Sequence, residues 1–345
     1  MAIRNMRQIL ITPEIKAMAR EYANNLFADK SDAFVQPVKG LRDLITDLKE
    51  VNNGLANKER YINYLKEIIK DYKKLKNLLP TEFDKYKTKY DGIIEDSPLS
   101  LKIKYRRDPL PSKKADRVGL NVSEKEFYKL IVTRMHYDDS RLYLGPYMKK
   151  IGINTCVYCN IAKATYSENR KEVYYPFDHC KPKSDYPFLC ITFFNLYPSC
   201  TNCNGHKLAD ESKGFQLYKK MGALDDPFVF LIDRKIIEEG DPNTLEIDFK
   251  SRNVADKDLS DKYDECYRIR EFYNSDDEKR NNYQMWKLIE KHRASYPKAI
   301  EAGLPLTVNR EELFTEVLGV KDDEIIFTDI RKKLKLDTAK DAKLL

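Results

Sequence analysis

Most residues of this chain that could bind a metal ion lie in one short window. The chain has seven cysteines, and four of them form two CxxC pairs. A CxxC turn lets two thiolates face one ion, and two such turns supply the four sulfur ligands of a tetrahedral zinc site. The sequence therefore predicts a structural zinc ion. Its four ligands would be Cys156, Cys159, Cys200 and Cys203.

Two other interpretations of the CxxC pairs are weaker. A thioredoxin-like redox centre needs only one pair, in a different context. Chance spacing of buried thiols is a poor explanation for two pairs that flank one compact segment. Cys180, Cys190 and Cys266 lack paired spacing, so we expect them to be ordinary buried residues.

An Asp-His dipeptide lies between the two CxxC pairs, at the end of the aromatic stretch "KEVYYPFDHC". Neighbouring side chains on a strand point to opposite faces, so at a strand end Asp178 could reach a metal ion while His179 reaches a water. A carboxylate suits Mg²⁺, and a neutral imidazole suits a general base near neutral pH. A lone histidine would instead be a hydrogen-bonded structural residue.

Further polar residues accompany this dipeptide. Asn195 precedes the second CxxC pair, and Asn204 and Lys207 follow it. If a helix begins near Cys200, Asn204 and Lys207 lie three residues apart and share a face that could hold a metal-bound phosphate. His206 would point nearly the opposite way, towards DNA or solvent.

The order CxxC, Asp-His-x-x-Pro-Lys-Ser, Asn-Leu and C-x-x-C-Asn-x-x-Lys resembles the HNH endonuclease family over residues 155–211. Within that family the segment is most similar to the nuclease subunits of Septu-type and retron-associated anti-phage systems. The resemblance implies a ββα-metal fold, in which two strands and a helix surround one divalent ion. It also implies a nuclease that works with an ATPase partner.

The resemblance also implies a role for each site residue. Asp178 and Asn204 would ligate Mg²⁺ or Mn²⁺, and His179 would deprotonate the attacking water. Asn195 would hold the loop that orients His179. Lys207, and less certainly Lys183, would contact phosphate. The expected reaction is hydrolysis of a DNA phosphodiester bond to a 5′-phosphate and a 3′-hydroxyl.

The elements around this window predict an α+β chain that is mostly helical. Residues 1–118 carry three apolar stripes at helical spacing, the first opened by Thr12 as N-cap. We interpret these stripes as core-facing or partner-facing, and as a possible docking surface for the ATPase or DNA. A nuclease domain with its zinc site would occupy residues 119–215, opened by a capping box at Ser123. A mixed α/β region would occupy residues 216–345, with strands from Pro227 and Leu245.

Charge and hydropathy limit the class of protein. The net charge is +7, and residues 101–117 hold seven Lys or Arg and two Asp. That segment would either lie on a phosphate backbone or form a solvated linker. The mean hydropathy is −0.64, and the chain shows neither a transmembrane run nor a signal peptide, so we expect a cytoplasmic protein. Two alternatives remain open: a stand-alone restriction-like endonuclease, and a zinc-stabilised nucleic-acid-binding protein without catalysis.

Overall fold

The structure is a computed structural model, and it confirms the predicted α+β class, with small two-stranded sheets among helices. The residues that it describes are 8–107, 109–111, 113–208, 216–219, 228–232, 243, 245–252, 258–294, 334 and 337–338. The α-helices are α1 (Pro13–Asn25), α2 (Pro37–Glu50), α3 (Lys58–Leu75), α4 (Phe83–Ile94), α5 (Phe127–Arg134), α6 (Tyr137–Lys150), α7 (Thr201–Lys207), α8 (Leu259–Tyr267), α9 (Ile269–Tyr273) and α10 (Asp276–Ala294). The strands are β1 (Ile9–Leu10), β2 (Lys102–Arg106), β3 (Val122–Glu126), β4 (Tyr166–Ser167), β5 (Glu172–Val173), β6 (Phe177–His179), β7 (Leu196–Pro198), β8 (Tyr218–Lys219), β9 (Phe228–Ile232) and β10 (Ile247–Ser251).

The three N-terminal apolar stripes form α1, α2 and α3, as their spacing predicts. Thr12 caps α1, since its Oγ1 accepts a hydrogen bond from the Ile15 N–H at 3.3 Å, and Pro13 holds the first helical position. The apolar side chains of all three helices are buried in one core. The stripes are therefore core-facing, one of the two predicted alternatives, and docking of a partner or DNA on this region stays a prediction. Their buried members include Ile15, Tyr22, Leu41, Leu44, Leu48, Tyr61, Leu65, Ile68 and Leu75.

The first part of the basic segment 101–117 is folded and is not a linker. Part of it forms β2, which pairs antiparallel with β3 and sets Lys102 opposite Glu126 and Lys104 opposite Glu124. Arg106 is buried and pairs with Asp47 at 3.0 Å. Arg106 and Arg117 thus pair with carboxylates of the same chain, whereas the other basic residues of the segment are exposed, and its contact with phosphate stays a prediction.

The capping box predicted at Ser123 is also wrong. Residues 122–126 pair with β2 as strand β3, so the helix α5 begins only at Phe127. Pairing with a distant strand has overridden a local helix signal.

The Asp-His dipeptide lies on a hairpin that leads into a short helix. Strands β6 and β7 pair antiparallel, with Asp178 opposite Tyr197 and His179 opposite Leu196. Helix α7 follows directly, with Cys200 as its N-cap residue. Residues 177–207 thus contain two short strands followed by one helix, and their assignment to a ββα-metal fold stays a prediction.

The C-terminal elements that the structure describes pack against this unit. Strands β9 and β10 form an antiparallel pair where strands were predicted, and α8 packs on α7. Strand β1 pairs parallel with β8, which ties the N-terminal region to residues beyond 215. One apolar core runs from Ile9 to Tyr283 and crosses both predicted domain boundaries. Among the described helices, none is both long and apolar enough to cross a membrane.

Candidate metal and active site

The four cysteines of the CxxC pairs meet at one point. Their sulfur atoms all lie within 4.8 Å of one another. In a tetrahedral site with Zn–S bonds of about 2.3 Å, the sulfurs are roughly 3.8 Å apart, so the cluster fits zinc after a small contraction. The cluster could therefore hold a metal ion such as zinc, as the sequence predicts. The other three cysteines, Cys180, Cys190 and Cys266, are buried and lie outside the cluster, as predicted for ordinary buried residues.

Two different local structures present these thiols. The first pair lies on a turn that Asn160 closes: its N–H donates to the Cys156 carbonyl at 2.9 Å, and its φ is +57°. The second pair opens α7, where the Cys200 sulfur accepts a hydrogen bond from the Cys203 N–H at 3.4 Å. Cys200 is partly exposed, whereas the other three thiols are buried.

Asp178 is a buried carboxylate with two side-chain donors on one oxygen. Its Oδ2 accepts a hydrogen bond from the Tyr158 hydroxyl, and the Lys207 ammonium lies 3.1 Å from the same oxygen. Burial raises the pKa of Asp178, while Lys207 and Tyr158 act in the opposite direction. The positively charged Lys207 ammonium thus contacts the Asp178 carboxylate directly.

His179 is a buried imidazole with a defined orientation. Its Nε2 lies 3.1 Å from the Cys190 carbonyl oxygen, and its ring centroid is 4.6 Å from that of Tyr137. A carbonyl oxygen only accepts, so Nε2 carries the proton and Nδ1 holds the lone pair. Burial lowers the pKa of His179 to about 3, and the nearby Lys183 ammonium acts in the same direction. The imidazole is therefore neutral at neutral pH.

The Asn195 side chain holds the segment that follows His179 through three hydrogen bonds. Its Oδ1 accepts from the Lys181 N–H at 2.8 Å, and its Nδ2 donates to the carbonyls of Lys181 at 3.2 Å and Leu189 at 3.1 Å. The side chain is fully buried. These bonds hold both ends of the loop that joins His179 to Cys190, although its assigned part in a reaction stays a prediction.

Lys207 differs from its predicted role. Its ammonium is buried, pairs with Asp178, and donates to the His179 carbonyl at 2.9 Å, so it does not face outward to a phosphate. The reason lies in helix geometry: Cys203 must face the cysteine cluster, and Lys207 lies four residues later on the same inward face. Lys183 is the exposed cation of this site, with its Nζ 4.9 Å from the Tyr137 ring centroid.

Asn204 and His206 are both partly exposed on α7. No hydrogen bond joins the Asn204 side chain to Asp178. A carboxylate and an amide oxygen are nevertheless the donor types that a hard divalent cation prefers. The donor types fit Mg²⁺ or Mn²⁺, and metal binding by Asp178 and Asn204 stays a prediction.

Comparison with known proteins finds one informative similarity. A stretch of 72 residues is 39% identical to the Septu protein PtuB of Bacillus thuringiensis. The stretch covers 20% of this chain and 26% of that protein, so the chain matches about a quarter of its relative's length. No family model matches the chain, and no solved structure matches it.

Aromatic residues that the sequence did not lead us to expect surround this site. Tyr158 contacts Asp178, Tyr137 contacts His179, and Tyr267 stacks on Tyr158. The position of Tyr158 between two predicted metal ligands was the available signal. Tyr137 and Tyr267 lie on elements that are distant from Tyr158 in the sequence, and no local pattern predicts their contacts with the site.

Proposed function

We propose that this chain is a metal-dependent endonuclease of the HNH type that hydrolyses phosphodiester bonds of DNA. The observation that carries the proposal is the chain of contacts at the end of β6. There the Lys207 ammonium contacts the Asp178 carboxylate and donates to the His179 carbonyl, while the His179 ring is held by the Cys190 carbonyl. A buried carboxylate next to a neutral, oriented imidazole supplies a cation ligand and a base in one place.

In this proposal each residue of the site has a separate role. His179 takes a proton from water at Nδ1, the nitrogen that the Cys190 carbonyl leaves as an acceptor. Asn195 keeps the loop after His179 in place, and Lys183 contacts the phosphate from the exposed side. Asp178 and Asn204 would hold Mg²⁺ or Mn²⁺, which when bound stabilises charge on the departing 3′ oxygen.

The cysteine cluster has a structural role in the proposal. Strands β6 and β7 are each three residues long and α7 has seven residues, so this unit brings little apolar core of its own. A zinc ion bound by both CxxC pairs would fix the start of α7 relative to the turn at Tyr158, and its binding would contribute to folding.

We further propose that the chain acts in anti-phage defence in the cytoplasm, together with an ATPase partner. The support is the similarity to the Septu protein PtuB, which covers part of each chain. The apolar faces of the N-terminal helices are buried in the core, so the partner would bind another surface.

The test of the nuclease is cleavage of supercoiled plasmid by the purified full chain, with Mg²⁺, with Mn²⁺ and with EDTA. His179→Ala is the key variant, because it removes the base and leaves the four cysteines intact. We expect metal-dependent nicking that the variant loses while it keeps its zinc. Equal cutting by the variant would remove His179 from the proposed mechanism.

The partner is tested separately by co-expression of this chain with the products of its neighbouring genes, among which the proposal expects an ATPase. We expect the two proteins to elute together from a sizing column. A chain that elutes alone and cuts DNA at full rate would overturn the proposed partnership. A chain that binds DNA and never cuts it, alone or with the ATPase, would instead be a zinc-stabilised binding protein.

A further inference from the structure

We propose that Tyr158, which lies inside the first CxxC turn, is a positioning residue that fixes the carboxylate of Asp178 for binding a divalent cation. This inference rests on the proposed nuclease function. It adds a residue that links the cysteine cluster to the reacting site.

The contact between the two residues is direct. The Tyr158 hydroxyl donates a hydrogen bond to Oδ2 of Asp178, and both side chains are buried. Tyr158 lies between the ligands Cys156 and Cys159, so the turn that holds the metal also sets the position of this hydroxyl.

The ring of Tyr158 is itself held from the other side. It stacks on Tyr267, with centroids 4.6 Å apart and planes 13° from parallel. The Tyr263 hydroxyl donates to the Tyr158 carbonyl at 3.0 Å, and the Tyr273 hydroxyl donates to the Cys159 carbonyl at 3.3 Å. The hydroxyl therefore projects from a support that includes α8, α9 and the cysteine turn, and it has little freedom to turn away.

Tyr158 and Lys207 act differently on the same oxygen. Lys207 supplies charge, whereas Tyr158 supplies a neutral donor that restricts rotation of the carboxylate without cancelling its charge. Both donors lie on Oδ2, so Oδ1 is the oxygen that neither of them occupies. Loss of a hydrogen bond that orients a metal ligand lowers metal affinity by about tenfold or more.

The experiment is a titration of the full-length, zinc-loaded chain with Mn²⁺, followed by electron paramagnetic resonance. The variant is Tyr158→Phe, which keeps the ring and its stacking. The matched control is Tyr263→Phe, which removes a buried hydroxyl that bonds to the same turn without contacting Asp178. Zinc content and the melting temperature are measured for each protein.

We expect Tyr158→Phe to bind Mn²⁺ about tenfold more weakly with its zinc retained, and Tyr263→Phe to bind it as wild type does. Wild-type affinity in Tyr158→Phe would overturn the assignment. Zinc loss in Tyr158→Phe, or equal weakening in both variants, would also overturn it, because the hydroxyl would then only stabilise the turn.

Plasmid cleavage separates this outcome from failure of the nuclease proposal. A wild-type chain that cuts DNA, with a Tyr158→Phe variant of unchanged Mn²⁺ affinity, would refute the role of Tyr158 alone. A wild-type chain that neither binds Mn²⁺ nor cuts DNA would refute both.

Discussion

At the scale of single residues, the two lysines near His179 have opposite environments. Lys207 is buried and pairs with a buried carboxylate at 3.1 Å, whereas Lys183 is exposed and lies over the Tyr137 ring. Removing one partner of a buried pair leaves the other charge uncompensated, while an exposed cation contributes little to folding. Lys207 therefore carries a charge with a structural role, whereas the charge of Lys183 is available to a ligand.

We expect Lys207→Met to lower the free energy of unfolding by about 3 kcal/mol, because the buried Asp178 carboxylate would lose its cationic partner. Lys183→Met is the matched control and should change stability by less than about 0.5 kcal/mol. Urea denaturation measures both. Equal stability of the two variants would show that the pair between Lys207 and Asp178 does not form.

We expect Lys183→Met, and not Lys207→Met, to reduce the salt dependence of DNA binding. A lysine that contacts phosphate releases counterions on binding, and a lysine buried in an ion pair does not. Fluorescence anisotropy with labelled DNA at several salt concentrations gives the slope for each variant. A reduced slope for Lys207→Met alone would restore the phosphate role predicted for Lys207.

The cysteine cluster gives a residue-scale prediction about metal content. We expect Cys200→Ser to lose the zinc ion and to unfold at lower temperature, because three thiolates hold zinc less tightly than four. The control is Cys266→Ser, since Cys266 is buried and lies outside the cluster. Zinc measured by atomic emission should be retained in the control; retention in both variants would argue against a four-cysteine site.

At the same scale, residue types and spacing predicted the cysteine cluster, because the fixed geometry of a CxxC turn needs no knowledge of the fold. The partner of Lys207 was not predictable. Its direction depends on which face of α7 meets the cysteines, and helical spacing alone left Lys207 on a face with Asn204. The structure instead puts Lys207 on the inward face with Cys203.

At the scale of elements, α6 packs very closely on the hairpin of β4 and β5. A Cβ at Gly145 would lie 2.7 Å from side-chain carbons of both Tyr166 and Val173. Both neighbours lie on that hairpin, so the helix and the hairpin can approach only because this position has no side chain. The next residue, Pro146, lies inside the helix and removes one backbone donor.

We expect Gly145→Ala to destabilise the protein by about 1–3 kcal/mol, because the added methyl group forces the hairpin away from the helix. Gly92→Ala is the control: Gly92 is exposed on α4 and has no atom within 4 Å of the added Cβ. That change should be neutral or stabilise the helix by up to about 1 kcal/mol. Thermal unfolding of the two variants measures the difference, and a similar effect for both would show that α6 does not contact the hairpin as described.

The elements also show where local patterns suffice. Apolar spacing predicted α1, α2 and α3 because each helix presents one continuous stripe to the core. Apolar spacing did not predict α6, since its Gly-Pro pair is typical of a helix end. The local pattern also gave a wrong prediction at Ser123, because the residues with a helix-capping pattern pair there with β2 as a strand.

At the scale of the whole molecule, the site depends on contacts from both ends of the chain. From the N-terminal side, the Tyr22 hydroxyl donates to the Ile191 carbonyl at 3.0 Å, and the Phe193 N–H donates to the Lys76 carbonyl at 2.9 Å. From the C-terminal side, Tyr263 and Tyr267 hold the turn at Tyr158. No sequence pattern within residues 119–215 reveals these contacts, so the predicted domain boundaries could not anticipate them.

The last prediction follows from this dependence. We expect a fragment of residues 119–215 to lack a cooperative unfolding transition and to bind zinc weakly, because it loses the pairing of β3 with β2 and the tyrosines that cover the cysteine turn. The full chain should unfold cooperatively and lose stability when a chelator removes its metal. Calorimetry and zinc content compare the two proteins. A fragment with a sharp transition and a tightly held zinc ion would establish residues 119–215 as an independent domain, and the contacts from Tyr22, Phe193 and Tyr263 would then be dispensable for folding.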